Sequence, residues 1–226
     1  MNKDGWGSST RELSRLRKEI IRVGRKLWAR QYVDGSGGNI SARYDSDKII
    51  CTPSLCSKGD LTPEDLVLID MEGKQIAGTG LPSSEILLHL EIYRAVPRAG
   101  GVIHCHPPHA MAYAITGSVP PANLVPEYEV FIGNLALVPY ETPGTPEFAG
   151  SVKSYLTGRS MLLLQNHGTV CWADTVSQAE WMVEVLDAYC HSLILAAHLN
   201  RRLVPIPEAK LEELRKIRER LGLACS

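Results

Sequence analysis

The stretch "GGVIHCHPPHA", Gly100 to Ala110, constrains the fold of this chain more than any other. Its β-branched run reads as a buried strand, and two prolines, which have no N–H for a sheet ladder, close it. Side chains alternate faces along a strand, so His104 and His106 point the same way, with Cα atoms roughly 6.6 Å apart. Two imidazoles so placed can share one ion. A second apolar run, "SMLLLQNHG" (Ser160 to Gly168), reads as another strand stopped by glycine. His167, at its end, can turn its ring out at the rim of the sheet. Catalytic zinc commonly takes three protein ligands, with histidine nitrogens at ~2.0–2.1 Å and one position open. His104, His106 and His167 are therefore the candidate metal ligands.

A lone His-x-His is more often a hydrogen-bonded pair than a metal site. Two histidine-bearing strand ends, together with an acid at a helix start, shift that balance toward a metal. Glu85 is that acid, although a glutamate there also complements the helix dipole, worth up to ~1 kcal/mol. His89 and His109 lie within predicted helices and need not face the rim. His191 and His198 fall on the last long helix and read as packing or surface residues.

Elsewhere, Leu13, Leu16, Ile20, Val23, Leu27 and Trp28 recur at helical spacing from Ser9 to Gln31, with Ser9 and Glu12 as a capping box. The glycines of "DGSGGNIS" (34–41) make either a turn or an anion cradle between helix and strand. Strands are predicted at 48–51, 66–70 and 74–77, the last two joined by a hairpin. "LPSSEILLHLEIYRAV" (81–96) reads as a helix with Ile86, Leu90 and Tyr93 on one face. Further helices are predicted at 108–115, 146–156, 175–198 and 207–221, with a strand-like "LALVPY" at 135–140. No repeat or linker is visible, and the interleaving favours a single α/β layered domain over residues 1–226.

With 226 residues, 44% of them apolar, the chain is long enough for one sizeable core. A formal net charge of −1 gives no basic field for nucleic acid. The absence of an apolar N-terminal core or of a ~20-residue apolar run predicts a cytoplasmic protein without a membrane span. Six cysteines without CxxC pairs fit reduced thiols.

The segments "SGGNIS", "CTPS", "LPSSEILLHLEIYRA", "GGVIHCHPPHA" and "LLLQNHGTV", in this order and spacing, resemble the class II aldolase/adducin family over nearly the whole chain. The resemblance implies a three-layer α/β/α sandwich around a mostly antiparallel sheet, assembled as a homotetramer with sites near subunit interfaces. It implies zinc, or another divalent ion, on His104, His106 and His167, with Glu85 as acid/base and as a further ligand when substrate is absent. It implies a phosphate pocket from Gly38, Asn39, Thr52, Ser83 and Ser84. Lys58 reads as a solvated loop lysine, the alternative being that it adds charge near that pocket.

The activity implied is that of a zinc aldolase cleaving a ketose 1-phosphate to dihydroxyacetone phosphate and an aldehyde, helped if burial raises the Glu85 pKa. Tyr128 is the candidate donor on the aldehyde side, against packing as its ordinary role. Relatives on the same scaffold include sugar-phosphate 4-epimerases, whose Ser-Ser-Asp differs from Ser84-Glu85 here. Others are methylthioribulose-1-phosphate dehydratases, for which Glu127 or Glu129 could serve, keto-acid phosphate decarboxylases, and non-enzymatic adducin-like modules. Arg201, Arg202 and "LRKIRERLGLACS" carry no assignable motif.

Overall fold

Eight strands form one sheet in the order β4-β3-β2-β1-β5-β8-β7-β6. The computed structural model describes residues 11–223. Ser9 of the expected capping box and Cys225 lie outside them. The strands are β1 (Asn39–Arg43), β2 (Lys48–Cys51), β3 (Val67–Asp70), β4 (Gln75–Ala77), β5 (Gly101–Cys105), β6 (Ala136–Val138), β7 (Met161–Leu164) and β8 (Gly168–Ala173). Every pairing is antiparallel except β6 with β7.

Two apolar clusters, one on each face, make this a three-layer molecule. On one face, helices α1 (Arg11–Ala29), α3 (Pro108–Thr116) and α5 (Val176–His198) pack over Ile40, Ile103, Leu163 and Cys171. On the other, α2 (Ile86–Ala95) and α4 (Pro146–Ser151) pack over Ile49, Val102, Leu162 and Val170. The alternation of β5 divides it between the two layers: Ile103 and Cys105 face α5, while Val102 and therefore His104 face α2. The last helix, α6 (Glu208–Arg220), packs on a π-helical turn at Tyr128–Ile132, with Arg218 Nη1 donating to the Val130 carbonyl.

Several expectations need correction. The helix expected from Leu81 begins only at Ile86, because Pro82 is held in a β-bridge with Pro53. The helix expected over 146–156 breaks into α4 and a 3₁₀ turn at Lys153–Tyr155. Trp28, placed with the apolar stripe of α1, is 55% exposed and lies against Gly59. β1 and β8 were absent from the sequence reading, and both pair with β5. Cys51, Cys56, Cys105, Cys171 and Cys190 are free thiols, as expected. No helix of the described residues is long and apolar enough to cross a membrane.

Candidate metal centre

β5 ends at Cys105, and His106 follows it with its N–H donating to the Tyr32 carbonyl at 2.7 Å. That bond keeps His106 in register, so its ring stays on the α2 side beside His104. The two Nε2 atoms are 3.1 Å apart. His167 arrives from the three-residue turn between β7 and β8, in which Asn166 takes a left-handed backbone (φ 56°) and the His167 N–H closes on Leu164 O. Its ring centroid lies 4.6 Å from that of His104 and 5.6 Å from that of His106. One ligand atom from each histidine falls within 4.8 Å of the others.

Glu85 closes the cluster from the N-cap of α2. Its carboxylate spans two rings, with Oε2 3.4 Å from His104 Nε2 and Oε1 3.2 Å from His167 Nε2. Asn39 sits directly across β1–β5 from His104, and its Nδ2 donates to Glu85 Oε2 at 2.7 Å. His104 is fully buried, and its Nδ1 donates to the Thr169 carbonyl at 2.8 Å. A neutral imidazole protonated at Nδ1 leaves Nε2 as a bare lone pair, as metal ligation needs.

The chemistry of this donor set fits a divalent cation. Three imidazole nitrogens and a carboxylate converge where protons would otherwise have to separate them, and His167 Nδ1 and Asn39 Oδ1 are buried without a hydrogen-bond partner. Burial holds the His104 pKa down to about 3 although Glu85 pulls it up. Burial, with His167 nearby, also lowers that of His106. Both rings are therefore neutral at physiological pH and available to a metal. Burial would raise the Glu85 carboxyl, but His104, His167 and the Asn39 amide outweigh it and hold it well below the ordinary range. The rise in the Glu85 pKa that would help proton transfer is therefore absent from this arrangement.

The residues expected to form a phosphate pocket meet beside the cluster. Thr52 Oγ1 accepts from Ile40 N at 3.1 Å, next to Asn39. The Pro53–Pro82 bridge brings the "CTPS" loop against Ser83 and Ser84. Ser83 Oγ accepts from Glu85 N at 3.4 Å. Gly38 takes φ 67°, and a Cβ there would lie 2.6 Å from Val33 and 2.9 Å from His104 O, so only glycine lets β1 start this close to β5.

Lys58 is not a solvated loop lysine. It is 1% exposed, and its Nζ donates to Ser36 O at 2.9 Å and Cys56 O at 2.7 Å. Tyr128 is likewise buried, its ring 4.4 Å from that of Tyr189 on α5, and burial pushes its hydroxyl pKa up. The structure places it in packing and does not bring it to the histidine cluster of its own chain. Glu127 is exposed, and Glu129 Oε1 accepts from Asn123 N. His89 is buried under the sheet with Nδ1 2.7 Å from Ser41 Oγ, and His109 pairs with Asp187. Neither joins the cluster.

A cleft of about 360 Å³ opens onto His106 and His167, walled by Gln31, Val33, Asp34, Pro108 and Met111. A more enclosed cavity of about 190 Å³ at the other end of β5 and β8, beside Arg98, Lys153 and Trp172, holds no such cluster. Sequence reasoning missed Thr169, which orients His104, and Phe148, whose ring lies 5.2 Å from that of His167. Only the β5–β8 pairing and the packing of α4 reveal them.

Residues 18–194 match the model of the class II aldolase and adducin N-terminal domain. The chain belongs to the class II aldolase/adducin family. An L-fuculose phosphate aldolase of Methanococcus vannielii is 36% identical over 170 residues, covering 75% of this chain and 91% of that protein. A 3-oxo-tetronate 4-phosphate decarboxylase of Cupriavidus necator is 35% identical over 178 residues, covering 77% and 81%. A solved L-fuculose 1-phosphate aldolase aligns with TM-score 0.79 at 27% identity, covering 92% of this chain and 97% of its own. This class II aldolase-family chain thus has relatives that break carbon–carbon bonds in phosphorylated sugars in two different ways.

Proposed function

We propose that this protein is a metal-dependent aldolase that cleaves a ketose 1-phosphate to dihydroxyacetone phosphate and an aldehyde. The observation that carries the reading is the convergence of His104, His106 and His167 with the Glu85 carboxylate, beside the loops that gather Gly38, Asn39, Thr52, Ser83 and Ser84. The three histidines would hold the ion, with Glu85 as a further ligand in the absence of substrate. Three imidazoles suit Zn²⁺ and also admit manganese, cobalt or nickel. A divalent cation there supplies Lewis acidity, drawing off the negative charge that develops on the substrate's oxygens as the carbon–carbon bond breaks.

The chain's own residues do the rest. The backbone around Gly38, the hydroxyls of Thr52, Ser83 and Ser84, and Asn39 would hold the phosphate and set the distance from it to the histidines. Glu85 is placed to move the proton at the carbon beside the carbonyl: it removes it in the condensation direction and returns it on cleavage. A carboxylate held this low is a weak base, so its contacts with His104 and His167 must loosen when substrate displaces it. Met111, Val33 and Pro108 form the apolar wall of the cleft toward the aldehyde half. The homotetramer implied by the resemblance would add groups from neighbouring subunits.

A decarboxylase of a 3-oxo sugar-acid phosphate is the second reading, supported by the Cupriavidus relative and by the burial of Tyr128 against Tyr189. Loss of CO₂ produces the same kind of enediolate and needs no acid on the departing side. One experiment separates the readings. The metal-loaded protein is incubated with a panel of ketose 1-phosphates and with a 3-oxo-4-phospho sugar acid. Dihydroxyacetone phosphate together with an aldehyde supports the aldolase; CO₂ release from the sugar acid alone supports the decarboxylase. Epimerised sugar, or purified protein with almost no bound divalent metal, would sink both.

A further inference from the structure

Resting on the phosphate-sugar reading, we propose that Lys58 is the positioning residue of the anion cradle. Its buried ammonium ties the loop at 34–38 to the loop after β2 and supplies a fixed positive charge that the substrate's phosphate completes.

Lysine is almost never fully buried without a partner, because an ammonium taken from water and left unpaired costs several kcal/mol. Lys58 is 1% exposed, and its two hydrogen-bond partners are neutral carbonyls, Ser36 O and Cys56 O. No carboxylate oxygen among the described residues lies within 4.0 Å of it, whereas Lys26, also in this layer, meets Glu180 at 2.9 Å. Burial pulls the Lys58 pKa down, and Glu85 is near enough to pull it back up. A charge kept inside the fold with two of its three donors bonded to carbonyls and no counter-ion is matched to an anion that comes and goes.

The surrounding chain is compressed to keep it there. Gly24 of α1 faces the Lys58 carbonyl so closely that a Cβ would lie 2.8 Å from it, and a Cβ at Gly59 would lie 2.9 Å from the Trp28 ring. The two carbonyls that Lys58 holds belong to the two loops whose far ends carry the pocket residues. Two residues after Ser36 comes Gly38, and then Asn39, bonded to Glu85. The Cys56 loop continues from Thr52 and Pro53, which are tied to Ile40 and Pro82. Lys58 thus fixes the separation of the two sides of the cradle as well as its charge.

The test uses the full-length, metal-loaded protein with inorganic phosphate as probe, titrated calorimetrically into wild type, Lys58→Met and Lys58→Gln. K58Q keeps a donor for one carbonyl and loses the charge. Phosphate affinity should fall by about tenfold or more in both variants, the scale of one charged hydrogen-bonding group. Metal content should not change. With the sugar phosphate found by the substrate panel, KM should rise far more than kcat, a split that general loosening of the fold would not produce. Should K58M fail to fold, K58Q and the wild-type ¹⁵N resonance of the lysine Nζ are read instead, and that resonance should move when phosphate is added. A folded, metal-replete variant that binds phosphate as well as wild type, or an Nζ resonance indifferent to phosphate, overturns the role of Lys58 while leaving a demonstrated sugar-phosphate activity standing. Wild-type protein that binds no phosphate at all overturns the role of Lys58, whereas failure to turn over any sugar phosphate of the panel overturns the reading on which it rests.

Discussion

Because the Nδ1–H of His104 donates a hydrogen bond to Thr169 O, its Nε2 lone pair is aimed at His106 and Glu85 before any ion arrives. Each remaining candidate ligand is held by something different: His106 by a backbone bond to Tyr32, and His167 by a tight turn and the Phe148 ring. Removing one ligand should therefore abolish binding without disturbing the other two. His167→Ala is expected to lower metal affinity by more than the ~100-fold that loss of an outer-shell partner can cause. Metal analysis after dialysis, with circular dichroism as the check on folding, reads this directly. Glu85→Gln keeps the shape and the bond from Asn39 but cannot move a proton. It should retain metal and lose about 10²–10⁴-fold in kcat, the usual weight of general acid–base catalysis. A kcat within a few-fold of wild type would remove Glu85 from the chemistry.

At the scale of elements, β5 decides where everything goes. It is buried along its whole length, paired by β1 on one side and β8 on the other, and sandwiched between α2 and α5. Its first residue must be glycine, since a Cβ on Gly101 would lie 2.4 Å from Val176 N, where α5 begins over the sheet. That neighbour is backbone and cannot swing aside. Gly101→Ala should thus cost about 3 kcal/mol, at the upper end of overpacking effects, measured as a lower urea midpoint with an unchanged slope. The long apolar runs behind β5 and β7 and the amphipathic spacing of α1 were legible in the sequence, because burial on both faces and the helical period each leave a pattern. β1 and β8 were not. "NISAR" follows the glycines at 35–38 and "GTVCWA" follows the tight turn at Asn166, and both are made strands by pairing with β5, which is a long-range event. Helix α2 is shorter at its start than the local pattern predicts because Pro82 is bridged to Pro53, a pairing between distant positions that competes for its first turn.

Across the whole molecule, the layer between the sheet and α2 encloses two histidines, His89 and His104, that burial holds neutral on folding. His89 is the one outside the ligand set: it is fully enclosed, bonded to Ser41, and burial takes its pKa down to about 4 although Glu85, one turn before it, pulls it up. A histidine in the unfolded chain titrates near 6.5, so at lower pH the unfolded state binds a proton that the folded state refuses. The associated stability is complete above about pH 6.5 and is lost as pH falls toward 4, at most about 3 kcal/mol from this group. His104 acts in the same direction down to about pH 3 in the metal-free protein. Urea titrations of chelator-treated protein between pH 7 and pH 4 should show this decline, and His89→Gln should flatten it. Metal should oppose it, since a ligand that binds only the folded state raises the melting temperature by mass action. An acid limb that is as steep in H89Q as in wild type would assign it to other groups.

The sequence by itself determined which residues could bind a metal and on which kind of element they would sit. Strand alternation, a proline stop and a glycine stop are local constraints, and they singled out His104, His106 and His167. It also determined the family, through five short segments in a fixed order. Tertiary structure alone decided that the three rings share one point, that Asn39 and Thr169 set the orientation of Glu85 and His104, and that Lys58 is enclosed while Tyr128 is used for packing. Those outcomes depend on which strand lies beside β5 and which loop folds over which, and distances between segments tens of residues apart have no signature in local spacing.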